Sequence, residues 1–110
     1  MATVVIADNP KIDAERFEQV NQKVRQSGDF PPAGLIFQVA GSGGPGWRVI
    51  SVWNSRDDFE RFASERLAPA WSETGFSRDD IDFTIYEAHS FVAGDLSGAA
   101  QPAMTGAQSR

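Results

Sequence analysis

Residues 34–54 read GLIFQVAGSGGPGWRVISVWN, and this stretch decides the fold. Its two ends, GLIFQVAG over 34–41 and WRVISVWN over 47–54, are dominated by β-branched and aromatic residues, which suit a pleated, half-buried surface. The linker between them, Ser42-Gly43-Gly44-Pro45-Gly46, is too short for a crossover, so the two strands are antiparallel neighbours in a hairpin. The linker joins strand to strand and offers no helix N-terminus to an anion, which rules out a phosphate loop.

A helix is predicted on each side of the hairpin. Upstream, Asp13 is an N-cap, Ile12 is placed to staple onto Phe17, and Phe17, Val20 and Val24 recur at helical spacing. Gly28 is a stop signal, and Pro31-Pro32 forces extended backbone. Downstream, Ser55 with Asp58 three residues on is a capping pattern. Phe59, Phe62, Ala63 and Leu67 form the apolar stripe, Pro69 breaks or restarts the helix, and 72–80 reads as loop with room for a helical turn. TVVIA over 3–7 opens the chain as a strand, and DFTIYEAHSFV over 82–92 is the last one. The order β-α-β-β-α-β implies an α+β sandwich of the ferredoxin-like kind over residues 1–92. Residues 93–110 are Ala, Gly, Ser and Gln with almost no large apolar side chain, the composition of a flexible tail or of an arm that orders against a partner.

Strand alternation predicts that Leu35, Phe37, Val39, Val49, Ser51 and Trp53 face the helices. Ile36, Gln38, Ala40, Arg48, Ile50 and Val52 then form the second face, too apolar to stand in water alone. Two such faces from two subunits would close a β-barrel around a two-fold axis, with sparse polar groups inside apolar walls. The expected assembly is a homodimer.

Composition narrows the chemistry. The 110 residues carry fifteen acids against ten bases, a net charge of -5, no cysteine and one histidine. There is no thiolate nucleophile, disulfide or Cys-ligated metal, and no site that draws two His from one chain. The acidic balance argues against nucleic acid as a partner. No apolar run approaches the roughly 20 residues of a membrane span, and the N-terminus lacks a signal pattern, so a cytoplasmic protein is expected. Asp79, Asp80 and Asp82 read as a solvated loop rather than a cation site.

The stretch GLIFQVAGSGGPGWRVISVWNSRDDFERFASERLAPA, above all WRVISVW, SRDDFERF and ERLAPA, resembles small proteins of the dimeric α+β barrel superfamily near the antibiotic-biosynthesis-monooxygenase-like group. The resemblance covers about residues 3–92 and implies the ferredoxin-like fold in a dimeric barrel. The superfamily includes cofactor-independent oxygenases of aromatic polyketides, haem-degrading enzymes, isomerases, polyketide cyclases and members without known activity. Relatives often carry histidine where Gln38 stands, while Glu87 and His89 match a last-strand E-x-H pattern.

Two functional readings follow. In the first, the chain is a cofactor-free enzyme on an apolar aromatic or polyketide-like molecule, a monooxygenase or a cyclase/isomerase working by proton transfer. His89 carries the proton and Glu87 orients it. Gln38 and Arg48 hold polar substituents, and Ile36, Ile50, Trp71 and Phe83 supply apolar wall. No metal or organic cofactor is called for. In the second, the chain is a non-catalytic dimer that binds an apolar metabolite, with His89 half-exposed at a strand end, Gln38 in a structural pair and Arg48 in a salt bridge. Trp53 is expected in the core, Trp47 beside an entrance, and Tyr86 buried under a helix.

Overall fold

The computed structural model describes residues 2–43 and 46–95. Four strands, β1 (Thr3–Asn9), β2 (Leu35–Gly43), β3 (Gly46–Trp53) and β4 (Asp82–Glu87), form one antiparallel sheet in the order β2-β3-β1-β4. Helix α1 (Ala14–Gln26) and a helical run made of α2 (Arg56–Phe62), a π-helical turn (Ala63–Leu67) and α3 (Ala68–Thr74) cover one side of it. This is the α+β ferredoxin-like arrangement that the element order implies. Among the described residues no helix is long and apolar enough to cross a membrane.

The helix starts follow their capping residues. Asp13 accepts the Arg16 N–H at 2.9 Å, and Ser55 accepts the Asp58 N–H at 3.1 Å while donating its own proton to the Asp58 carboxylate at 3.0 Å. Helix α1 ends at Ser27, before Gly28, whose φ is not positive. The Arg66 guanidinium closes that end, donating to the Val24 carbonyl at 2.7 Å and to the Ser27 hydroxyl at 3.0 Å. Gly34 takes the left-handed conformation at φ 90°, and its bare α-carbon lies where a side chain would strike the Asp58 carboxyl group. That contact lays the start of the hairpin against the start of α2.

The helix does not stop at Pro69. Proline has no N–H to give the preceding turn, and its ring crowds the carbonyl four residues back. The chain widens one turn ahead of it, with the Ala68 N–H reaching the Ala63 carbonyl five residues behind. The helix then runs on to Thr74 and ends at Gly75, φ 89°. The 72–80 stretch, expected as loop with room for a helical turn, has that turn as a short 3-10 helix, Arg78–Asp80, and also holds the end of α3. Lys11 and the Ser77 N–H both donate to Asp80 and hold its carboxyl below the usual carboxylate range. This tie is present at neutral pH and is lost as pH falls through the lowered value.

The largest correction concerns β2. A bulge lies between Leu35 and Phe37, so Leu35 pairs with Trp53 but Phe37 pairs with Val52 and Gln38 with Ser51. One extra residue inverts the alternation downstream of it. The helix-facing set is Leu35, Gln38, Ala40, Val49, Ser51 and Trp53, together with Val5, Ala7, Phe83 and Ile85. The open face carries Phe37, Val39, Ile50 and Val52 with Val4, Ile6, Thr84 and Tyr86. Tyr86 is 52 % exposed rather than buried under a helix. β4 ends at Glu87 rather than at residue 92, and the chain beyond it returns to lay Phe91 edge-on against Phe37, ring centroids 6.4 Å apart.

Aromatic rings fill the space between the layers. Trp53 is 2 % exposed, 5.7 Å from the Phe59 ring and 5.2 Å from Phe62. Phe83 joins this group to Trp71, 5.9 Å from Phe59 and 6.1 Å from Trp71. At the β3 start, a Cβ on Gly46 would come within 2.6 Å of the Asn9 carbonyl and 2.7 Å of the Pro10 α-carbon, whereas one on Gly41 would meet nothing within 4 Å. Gly46→Ala is expected to destabilise the fold by about 1–3 kcal/mol in urea unfolding, and Gly41→Ala to stay within about 0.5 kcal/mol of the parent.

Candidate functional site

The sheet and the helices do not close completely on each other. A cavity of about 100 Å³ remains between them, inside one chain. Its floor is the helix-facing side of the sheet, with Val5, Ala7, Val49, Ser51 and Phe83. Phe17, Val20 and Val24 of α1 and Phe59, Phe62, Leu67 and Trp71 of the second helical run form the roof. Leu67 and Trp71 flank Pro69, so the widened turn lies in the stretch that builds this wall.

Phe30 and Gln38 are the exposed members of the lining, which places the mouth between the loop after α1 and the β2 edge. The Arg25 guanidinium lies 4.1 Å from the centre of the Phe30 ring and braces that side of the mouth. The size is below the roughly 150 Å³ known to hold a benzene ring, so a ring enters only if the mouth gives way.

The lining residues are apolar apart from Asn9, Asn21, Gln38, Ser51 and the indole groups of Trp47, Trp53 and Trp71. Among the described residues the lining contains no Asp, Glu, His, Lys, Arg or Tyr. Ser51 is buried and accepts the Trp53 indole N–H at 2.9 Å. Asn9 is 6 % exposed, and its side-chain oxygen accepts the Lys11 N–H at 2.8 Å. Trp47 lies against Phe17, ring centroids 5.3 Å apart, and its Nε1 is buried without a hydrogen-bond partner. Asn21 and Gln38 make no side-chain hydrogen bond among the described residues.

The residues proposed from sequence do not converge. Gln38, Trp71 and Phe83 line the cavity, Gln38 from the face opposite to the one expected. Arg48 and Ile50 lie on the open face. Arg48 is bound to Asp8 through Nε at 2.6 Å and Nη2 at 3.1 Å, and that hydrogen bond together with the charge of Asp8 raises the guanidinium's pKa. Ile36 is exposed at the bulge. Glu87 ends β4, His89 lies beyond it, both are exposed, and neither is in the cavity lining. Among the described residues there is no group of three or more His, Cys, Asp or Glu able to hold a metal ion.

Sequence reasoning missed Asn9 and Asn21 and gave Trp47 too small a part. The signal for Asn9 was available, because it is a polar residue on the helix-facing parity of β1. The signal for Trp47 was its alternation with Ser51 and Trp53.

No protein-family profile and no curated sequence matches this chain. Solved structures do. SnoaB, a cofactor-independent oxygenase from Streptomyces nogalater, superposes with a TM-score of 0.56 at 15% identity, over 84% of this chain and 97% of its own. A dimeric ferredoxin-like protein of unknown function from Thermobifida fusca gives 0.56 at 16% identity, over 80% and 92%. A protein provisionally assigned as an antibiotic biosynthesis monooxygenase from Nitrosomonas europaea gives 0.55 at 16% identity, over 82% and 100%. The chain thus has the fold of antibiotic-biosynthesis-monooxygenase-like ferredoxin-like proteins, and at these identities the likeness is one of fold.

Ser51→Ala removes the acceptor of a buried indole N–H. It is expected to cost about 1–3 kcal/mol in urea unfolding. The same loss should appear at pH 6 and pH 8, since neither partner titrates there.

Proposed function

We propose that this chain binds a small aromatic molecule between its sheet and its helices and oxygenates it without a cofactor. The observation that carries the reading is the enclosed, almost wholly apolar cavity with a few neutral hydrogen-bonding groups, the usual makeup of a small-molecule site. Its size favours a single phenolic ring over a fused polyketide. The fold shared with a cofactor-independent oxygenase supports the reaction class.

An activated methylene next to a phenol or ketone can lose a proton and pass electrons to dioxygen. One oxygen atom then becomes the new carbonyl and the other leaves as water, with the substrate supplying all the electrons. Among the described residues the lining has no ionisable side chain, so the proton leaves to water at the mouth and not to His89 or Glu87. The same feature favours a second reading, a binding protein without turnover, over cyclisation or isomerisation by a side-chain acid or base.

Assays of dioxygen uptake with single-ring phenols and cyclic ketones, with product masses, separate these readings. Uptake with a product heavier by one oxygen and lighter by two hydrogens supports the oxygenase; tight binding without uptake supports the binding protein; no binding removes both. His89→Ala should leave affinity and turnover within about twofold of the parent, because the side chain is outside the cavity.

We also propose that the open sheet face meets a second copy of the chain. Val39 at 47 % and Tyr86 at 52 % exposure leave too much apolar surface for a solvated face. The Thermobifida protein of this fold is described as dimeric. Sedimentation at micromolar concentration should give twice the chain mass, and Ile50→Lys should give the monomer.

A further inference from the structure

We infer that the ligand of the cavity is an aromatic acid, held with its ring between sheet and helices and its carboxylate outside, paired with Arg25. The inference rests on the cavity being the ligand site and goes beyond it by naming the charge that the ligand carries and the residue that selects it.

The lysines and arginines of the described residues fall into two groups. Lys11, Lys23, Arg48, Arg56 and Arg61 are each paired with a carboxylate. Arg16 donates to the Thr74 carbonyl, and Arg66 to the Val24 carbonyl and the Ser27 hydroxyl. Arg25 and Arg78 give no side-chain hydrogen bond and no ion pair among the described residues. Both lie instead over a ring that lines the cavity, Arg25 over Phe30 at 4.1 Å from the ring centre and Arg78 over Phe83 at 4.8 Å. A guanidinium drawn to a ring face by its charge is positioned by that contact and still has N–H groups to donate.

The two rings differ in place. Phe83 is half-buried between Phe59 and Trp71, whereas Phe30 is exposed and stands at the mouth. The loop that carries Phe30 is fixed at both ends, by Arg66 on Ser27 and by Gly34 against Asp58, and Pro31-Pro32 restricts the backbone between them. A substituent that leaves the mouth passes Phe30 and comes within reach of the Arg25 guanidinium, whose fork suits a carboxylate.

The cavity itself leaves a charged substituent no other place. Its volume of about 100 Å³ is taken up by a ring, and among the described residues its lining holds no cation. A carboxylate drawn inside would lose its hydration and gain no counter-charge. Outside, the net charge of -5 disfavours anions over the surface at large, so a carboxylate gains most beside a cation that has no carboxylate partner. Asp29, the one acid of the loop between α1 and β2, is exposed and makes no ion pair with Arg25. The pairing orients the ring, and no bond is made or broken at Arg25.

The test compares 4-hydroxyphenylacetate with 4-hydroxyphenylacetamide, the same ring and arm without the charge, by isothermal titration calorimetry at low salt. The wild-type protein should bind the acid about threefold to tenfold more tightly than the amide. Arg25→Gln should bring that ratio to about one while affinity for the amide stays within about twofold. Arg25→Lys, which keeps the charge without the fork, should restore part of the preference. Arg78→Gln, which removes the other such guanidinium, should leave the ratio within about 1.5-fold of the wild type. Added salt at about 0.5 M should shrink the acid's advantage and spare the amide. No preference for the acid, a preference that outlives Arg25→Gln, or one lost equally in Arg78→Gln overturns the pairing and leaves the cavity a ligand site. Equal losses of acid and amide in Arg25→Gln also overturn it, and make Arg25 a brace for Phe30 alone. Binding of neither compound overturns the ligand site as well.

Discussion

The pleat of β2 turns over at Ile36. Because strand side chains alternate with a period of two, the inserted residue moves every later side chain of the strand to the other face. Phe37 and Val39 go outward and Gln38 and Ala40 come inward. The neighbouring strand allows no compensation, since Trp53 and Ser51 are pinned to the helix side by burial and by the hydrogen bond between them. The inner layer therefore carries the small and polar groups Gln38 and Ala40 toward the β2 edge. The cavity and its mouth at Gln38 are the space that results.

The rest of the framework keeps that space from collapsing. Large rings at Trp53, Phe59, Phe62, Phe83 and Trp71 prop the layers apart at one side, and Phe17 against Trp47 does so at the other. Close packing of rings in such an interior leaves few voids larger than a water, so a lined opening that persists is more informative than its volume alone. Pro69 would have ended the second helical run if the turn before it had not widened. The π-helical turn carries Leu67 and Trp71 over the cavity, and Arg66 within it secures the end of α1. A wall that would otherwise be a broken helix thus becomes one continuous surface.

Most of the architecture was legible in the sequence, for identifiable reasons. The hairpin was forced by a five-residue Gly-Ser-Pro linker between two β-rich runs, and Asp13 and Ser55 announced the helix starts. The failures have equally local causes. A bulge leaves no mark in a run such as GLIFQVAG, so strict alternation put Gln38 on the wrong face. Pro69 reads as a break or a restart, and the chain restarts: a π turn absorbs the proline and α3 continues from it. His89 drew attention as the single imidazole, yet it lies past the end of β4. The prediction of a pocket followed from the open face seeking a partner sheet. The cavity that the chain itself forms is on the opposite side of the sheet, and neutral groups rather than titratable ones give it its polarity.

The two faces of the sheet thus have separate tasks in this account, the inner one for a ligand and the outer one for assembly. Methyl NMR of valine- and isoleucine-labelled protein titrated with a single-ring phenol distinguishes them most directly. The account predicts ring-current shifts at Val20, Val24 and Val49, which line the cavity, with Val39 and Ile50 unmoved. Shifts confined to Val39, Ile50 and Ile6 would place the ligand on the open face and contradict it.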